Sequence, residues 1–482
     1  MTHVDAAPAE GQSDTKTSAA GPRQSVLRRR ILNGFTIGGL LLSAVLGPLT
    51  DVPTLWGLVP IVLYALLALL GMDILVATIV AVFSGLLIMM PSPAHVGEML
   101  GTSLGEQITI IGLIIMLGAG VGEVLRTTGI AATIVRGVMR CVGEHSRTAT
   151  TFGVMMSCLI LVASLGTLAG ALAIAAPLLL PILARIGFTR SAGAAMMFVG
   201  GAAGLALAPF AGSNIAIMDA AQVGYFQYLV YGAGPLAVLS VIVGLLVVPW
   251  MQRRTEGTGD TYDPESFDPA CQETNRHSLR ATVAFVITLL VCVVYAVVSE
   301  AGTTFPLLAL PLMGLVAGVA GGMSPTETIT KMFGGAAQLV SVFLLFWLLA
   351  ALFAVIDALA PFQVILDTYG DNLGGLSPFL FAIVIALLGW VGVPGATAAQ
   401  VVLLDKVFGT LAASVGVGPG AWVVVLLFAS KADTYGPFPN ANMVGAMGLA
   451  RSDRLNNMIL TGLALLLPSC LMYTGILLIE TA

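Results

Sequence analysis

Ala208-Pro209-Phe210-Ala211-Gly212-Ser213-Asn214 interrupts an otherwise apolar stretch, and Gly436-Pro437-Phe438-Pro439-Asn440-Ala441-Asn442 repeats the interruption 228 positions later (437 against 209). Pro209 aligns with Pro437, Phe210 with Phe438 and Asn214 with Asn442. Upstream of each lies a second small-polar break, Ser164-Leu165-Gly166-Thr167 in the first half and Val393-Pro394-Gly395-Ala396-Thr397 in the second. In a bilayer, unwound backbone survives only where protein or a water-filled cavity covers it. Two interruptions per half, in the same order, point to paired broken helices around a solute site, the arrangement of a secondary transporter.

Composition makes the bilayer the solvent. Of 482 residues, 57% are hydrophobic and 9% charged, against about 25% charged in soluble domains. Apolar runs of about 20 residues recur along the chain. The expected class is an all-α polytopic membrane protein of the plasma membrane. The net charge of -5 sits largely in tails and one loop and identifies no partner. Cys141, Cys158, Cys271, Cys292 and Cys470 show no CxxC spacing, and the three in apolar runs read as packing thiols. The histidines (His3, His95, His145, His277) all fall in tails or loops, so no metal cluster is expected. The chain has no Walker A motif, which excludes an ATP-driven pump within it. Nothing supports an enzyme, a cofactor beyond a coupling H⁺ or Na⁺, or a nucleic-acid partner.

Taken in order, the sequence divides into a disordered cytoplasmic tail (1–30), an extra first helix (31–52), repeat one (53–251), a cytoplasmic polar linker (252–280) and repeat two (281–482). Amphipathic stretches are expected at 130–142 and 361–370, and split segments at 148–186 and 376–411. Lys and Arg mark the cytoplasmic side. Arg126, Arg136, Arg140, Arg147, Arg185 and Arg190 flank the first split segment, whereas its counterpart 358–375 has no Lys or Arg. Loop 91–106 has none, while 323–334 has Lys331; segment 222–227 has none, while the matching loop has Arg451 and Arg454. Every paired loop flips sign. The simplest topology makes each split segment a re-entrant hairpin, the two entering from opposite sides. The halves are then inverted repeats, each with a discontinuous helix, giving about 11 transmembrane helices with the N-terminus cytoplasmic.

Candidate site residues follow from the breaks. Ser164, Gly166 and Thr167, with Gly395, Ala396 and Thr397, place small residues and hydroxyls at the hairpin tips, where helix N-termini suit an anion. Small residues there also serve tight helix packing. Ser213, Asn214, Asn440 and Asn442 bring hydroxyl and amide groups beside freed carbonyls, for substrate or Na⁺, and an Asn there also caps a restarted helix. Lys431 is a candidate counter-charge for an anionic substrate, and Asp219 and Asp433 for proton or cation coupling. A Lys431–Asp433 pair is the plain structural alternative. Glu123 and Arg126, spaced i,i+3, read as a boundary salt bridge, and Asp405-Lys406 as interfacial.

At these breaks the chain resembles the ion transporter superfamily of carboxylate and cation carriers, and within it the gluconate permease family. The likeness runs through Gly118-Ala119-Gly120, Arg126-Thr127-Thr128-Gly129, Ala176-Pro177-Leu178-Leu179-Leu180-Pro181 and the Pro-bearing break after Ala206. It implies hairpins meeting a discontinuous helix, a homodimer, and symport of a small organic anion with H⁺ or Na⁺. Divalent-anion/sodium symporters of this group carry Ser-Asn-Thr at both tips; here the tips read Ser164-Leu165-Gly166-Thr167 and Gly395-Ala396-Thr397, a departure that bears on their sodium sites and substrate. Pro209–Asp219 also resembles the break of Na⁺/H⁺ antiporters, where an Asp handles the cation. The leading expectation is H⁺- or Na⁺-coupled symport of a carboxylate such as gluconate, lactate, citrate or a dicarboxylate, by alternating access. A Na⁺/H⁺ or carboxylate-exchanging antiporter and the membrane subunit of a receptor-dependent carrier are the alternatives.

Overall fold

The computed structural model describes residues 22–142, 146–263, 276–299, 303–361, 377–391, 397–436 and 440–482, with 301, 364 and 368. The described residues are helical, and their one extended pairing is an isolated bridge between Thr189 and Thr261. Nine of these helices are long and apolar enough to cross a bilayer, and five shorter apolar helices accompany them. That set is compatible with 11 crossings.

The first half runs α1 (Pro22–Leu46), α2 (Val59–Leu69), α3 (Ile74–Met89), α4 (Pro93–Thr102), α5 (Gln107–Thr127), α6 (Ile130–Val142), α7 (Arg147–Leu165), α8 (Leu168–Ile186), α9 (Arg190–Leu207), α10 (Gly212–Ala220) and α11 (Tyr225–Tyr228), which passes through a π turn into α12 (Gly234–Thr255). The second half repeats the order with α13 (Arg276–Val298), α14 (Pro306–Ala320), α15 (Pro325–Ala337), α16 (Val340–Leu359), α17 (Pro378–Leu388), α18 (Thr397–Ser414), α19 (Pro419–Tyr435), α20 (Ala441–Leu449) and α21 (Leu455–Glu480). Local signals repeat too. Ser92 caps α4 ahead of Pro93, and Ser324 caps α15 ahead of Pro325; each hydroxyl accepts a backbone N–H three residues on. The expected tail is helical from Pro22 onward, because the basic run before the apolar segment consists of good helix formers; residues 1–21 lie outside the described set. Of the expected amphipathic stretch at 361–370, Pro361, Val364 and Thr368 are described, all helical.

The first hairpin turns at Gly166. Its φ of +68° is the left-handed region that a glycine enters without strain, and its N–H closes α7 on the Val162 carbonyl at 2.8 Å. A Cβ there would lie 3.3 Å from Ala211, so the tip rests directly on the first helix break. Arg190 starts α9 beside the hairpin base, and α10 continues nine residues beyond the break. The tip therefore stops partway along that broken helix, as a re-entrant hairpin must. α9 meets α7 through Gly200 and Gly204, one turn apart; a Cβ on either would sit 2.3 Å from the carbonyl oxygens of Met155 and Leu159. Small residues at this spacing let two helix backbones touch.

The halves interlock crosswise. α10, the restarted piece of the first half, packs against α18 of the second hairpin, while α20 packs against α8 and α9. Their opposite orientation shows in what shares a face. Residues 256–263, the start of the expected polar linker, form a strap across the ends of both broken helices. Ser191 N donates to Asp260 Oδ2 (3.0 Å), and Arg190 Nε to the Thr261 carbonyl (2.9 Å). The Tyr262 hydroxyl donates to the Ala450 carbonyl (3.0 Å), and Arg454 Nη2 to that of Thr258 (2.8 Å). Burial where the strap meets the helices pushes the Tyr262 hydroxyl above the ordinary tyrosine range. Asn457 Nδ2 reaches Ser191 Oγ at 3.0 Å, and Arg147 pairs with Glu256 at 3.3 Å. The start of the first broken helix thus lies beside the end of the second, as inverted repeats require. This face, with Arg147, Arg190, Arg254 and Arg454, is the basic face.

Gly204→Ala should force α7 and α9 apart and destabilise the fold by about 2 kcal/mol, the usual scale of overpacking. Gly137→Ala in α6, where a Cβ meets nothing within 4 Å, should be neutral or slightly stabilising. Thermal unfolding of the two variants in micelles checks the contrast.

Candidate functional site

The two helix breaks close their backbone differently. At the first, Asn214 reaches back from α10 to the exposed end of α9, its Nδ2 donating to the carbonyls of Leu205 (2.8 Å), Ala206 (3.3 Å) and Ala208 (2.8 Å). Tyr225 donates to the Leu207 carbonyl (2.5 Å) and Tyr228 to that of Ala206 (3.0 Å). All four carbonyls from Leu205 to Ala208 accept a side-chain hydrogen bond. At the second break Asn440 is the cap of α20: its Oδ1 accepts from Met443 N (2.9 Å), and its Nδ2 donates to the Thr434 carbonyl (3.2 Å). The capping expected of the restarted helix is found at Asn440, whereas α10 starts without a side-chain cap and Asn214 bonds instead to the end of α9.

Between the breaks lies a small, narrow cavity, with 20 Å³ of free space, lined by residues of α9, α10, α18 and α19. Its polar wall is Ser213, Asn214, Thr397, Ser430, Lys431 and Thr434. Lys431 is 8% exposed, with Nζ 5.6 Å from the centre of the Tyr435 ring. A space of that size holds one water-sized body. On the far side of α10 is a wide vestibule of 580 Å³, opening away from the basic face. It is lined by Pro209, Phe210, Ile215, Met218, Asp219 and Gln222, with residues of α13 and the 301–306 segment. Positions 215, 218, 219 and 222 follow helical spacing down one side of α10 and its C-terminal turn, while Ser213, Asn214 and Ile217 occupy the other. α10 is therefore a partition one helix thick, with the vestibule on one side and the cavity on the other.

The sequence candidates divide accordingly. Ser213, Asn214, Thr397 and Lys431 come together around the cavity. Asp219 lies in the vestibule, where its Oδ1 accepts from Thr303 Oγ1 (3.0 Å), itself reached by Gln107 Nε2 (2.6 Å). Ser164 bonds back to the Ile160 carbonyl (2.7 Å). Gly166 supports the break through Ala211, and Thr167 begins α8 without a side-chain cap. Asn440 caps α20, and Asn442 sits in its first turn, half-buried. Gly395 and Ala396 lie outside the described residues, as does the side chain of Asp433. Glu123 and Arg126 form the expected bidentate pair, at 2.6 and 2.9 Å.

Several site-building residues escaped the sequence reading. Tyr225 and Tyr228 come from the next helix, and no local pattern marks a tyrosine that satisfies a distant carbonyl. Ser430 and Thr434 could have been found, because they share a helical face with Lys431. Asp405, on the helix that packs crosswise against α10, accepts from Trp422 Nε1 at 2.8 Å. Lys406 bridges α18 to Asp357 of α16 at 2.6 Å. Among the described residues no group of three or more His, Cys, Asp or Glu could hold a metal ion.

The fold matches a solved transporter. The crystal structure of the Alcanivorax borkumensis YdaH transporter superposes with a TM-score of 0.58, at 17% sequence identity, over 93% of this chain and 98% of that one. Residues 34–250 match the model of the Na⁺/H⁺ antiporter family. Both findings fit a member of the ion transporter superfamily. No curated protein sequence matches. Family model and fold together support a secondary transporter.

Asn214→Ala removes the two N–H donors that the three carbonyls share and should cost about 1 kcal/mol, taking roughly 0.6 kcal/mol for each donor inside a bilayer. Tyr228→Phe removes one donor and should cost about half as much. Denaturant unfolding of the micellar protein gives both values.

Proposed function

We propose that the protein exchanges Na⁺ and H⁺ across the membrane, with the cavity between the two helix breaks as the cation site. The observation that carries this reading is the size and chemistry of that cavity. Its 20 Å³ has room for one water-sized body; a bare alkali cation fits and a sugar acid or citrate does not. Oxygens are at hand from Ser213, Asn214, Thr397, Ser430 and Thr434. Lys431 lines the same space, and an ammonium and a metal cation a few ångströms apart repel strongly in a low-dielectric interior. Occupancy by Na⁺ and retention of the lysine proton therefore compete, which is the thermodynamic requirement for exchange. Asp219, reached from the vestibule, is the entry carboxylate. The match of residues 34–250 to the Na⁺/H⁺ antiporter family supports the same assignment.

A second reading, symport of a small organic anion with H⁺ or Na⁺, is favoured by the vestibule. Its 580 Å³ falls in the range of small-molecule sites, and Lys431 lies behind the α10 partition as a counter-charge. Here the vestibule receives the carboxylate, and movement of α10 against the second hairpin admits it to the lysine.

Purified protein in liposomes with an imposed pH gradient separates the two. Na⁺ alone should dissipate the gradient, and Lys431→Ala should lower the rate at least about tenfold. A gradient untouched by Na⁺ alone, with gluconate or citrate taken up together with Na⁺ or with H⁺, would establish symport instead. Activity only with an added solute receptor would identify a receptor-dependent carrier.

A further inference from the structure

The basic face carries a groove separate from the cavity and the vestibule. It lies where α12 ends and α21 begins, encloses 430 Å³, and is lined by Arg254, Asp453, Arg454, Leu455, Asn456 and Asn457. From the geometry we propose that this groove binds the phosphate of an anionic phospholipid, whose acyl chains lie along α12.

Two independent features converge there. The first is an apolar line down α12. Val238, Ile242, Leu246 and Trp250 follow each other at four-residue spacing and are 60%, 53%, 69% and 44% exposed. On a helix of 22 residues in a membrane chain, such a line faces lipid. The next position in the series is Arg254, whose guanidinium lies 5.6 Å from the centre of the Trp250 ring. The line thus ends in an interfacial tryptophan and an arginine, the pair expected at the headgroup level.

The second feature is the charge of the groove. Arg254 from the first half and Arg454 from the second meet across it, against the single carboxylate of Asp453. Arg454 gives one Nη2 hydrogen bond to the Thr258 carbonyl, and a guanidinium has five N–H donors, so most of its fork remains for a ligand. Arg253 adds positive charge on the adjoining turn, while Glu256 is paired with Arg147. Two guanidiniums bind a phosphate more strongly than they bind a neutral or zwitterionic group. The amides of Asn456 and Asn457 supply neutral donors beside them. By the distribution of Lys and Arg this face is cytoplasmic, the side on which basic pockets between helices take anionic headgroups. A free phosphate would satisfy the arginines but leave the apolar line without a role; a phospholipid satisfies both.

The test uses the full chain, delipidated in a neutral detergent. Thermal stability and native mass spectra are recorded with added phosphatidylglycerol, phosphatidylcholine or inorganic phosphate. Phosphatidylglycerol should raise the melting temperature and remain bound, phosphatidylcholine should do so far less, and phosphate should have no effect. Arg254→Gln should weaken phosphatidylglycerol binding about tenfold, and Arg254→Gln with Arg454→Gln should abolish the preference. The single variant keeps the Arg454–Thr258 bond, so a folding defect in the double variant does not mask the result. Equal response to the two lipids, an equal response to phosphate, or full retention of the preference in Arg254→Gln would overturn the proposal. None of these readouts depends on what the protein transports.

Discussion

A peptide group inside a bilayer has no water to turn to, and each broken helix here is shaped by that fact. Stopping α9 at Leu207 frees a turn of carbonyls, and the chain answers with three side chains from two other elements: Asn214 from the restarted helix, and Tyr225 and Tyr228 from the segment after it. Only with those oxygens satisfied can α10 start at a new angle and act as a partition. At the second break, among the described residues, Asn440 serves both the helix that ends and the one that begins. The cavity exists because both solutions put their backbone bonds elsewhere and leave hydroxyls and Lys431 facing one another.

Crosswise packing adds to this. Because α10 lies on the second hairpin and α20 on the arms of the first half, each break is packed against an element of the other repeat. Residues of both halves thereby line one cavity. The crosswise packing also lays α10, which carries Asp219, against α18, which carries Asp405.

Much of this was legible in the chain itself. The breaks, the duplicated order, the sign reversal of the loops and the Glu123–Arg126 pair all rest on local composition and helical spacing, which depend on residues a few positions apart. The four residues gathered at the cavity from the sequence list, Ser213, Asn214, Thr397 and Lys431, were visible because polar groups in an apolar run are costly unless used. What remained hidden depends on distant partners. Ser164 looks like a tip hydroxyl until its rotamer closes on the Ile160 carbonyl. Asp405 looks interfacial until α18 is laid against α10. Tyr225 and Tyr228 have no mark of their role, since their acceptors lie 18 and 22 residues away.

The strap at 256–263 joins the first turn of α9 to the last turn before α21 through Asp260, Tyr262 and Arg454. The two repeats are covalently continuous, yet here they are also laced together at one rim. A tilt of either broken helix at that rim must drag the other or rupture several hydrogen bonds, each worth about 1 kcal/mol. The basic rim therefore works as a hinge pin, and the larger swing is available at the opposite end, where the vestibule opens.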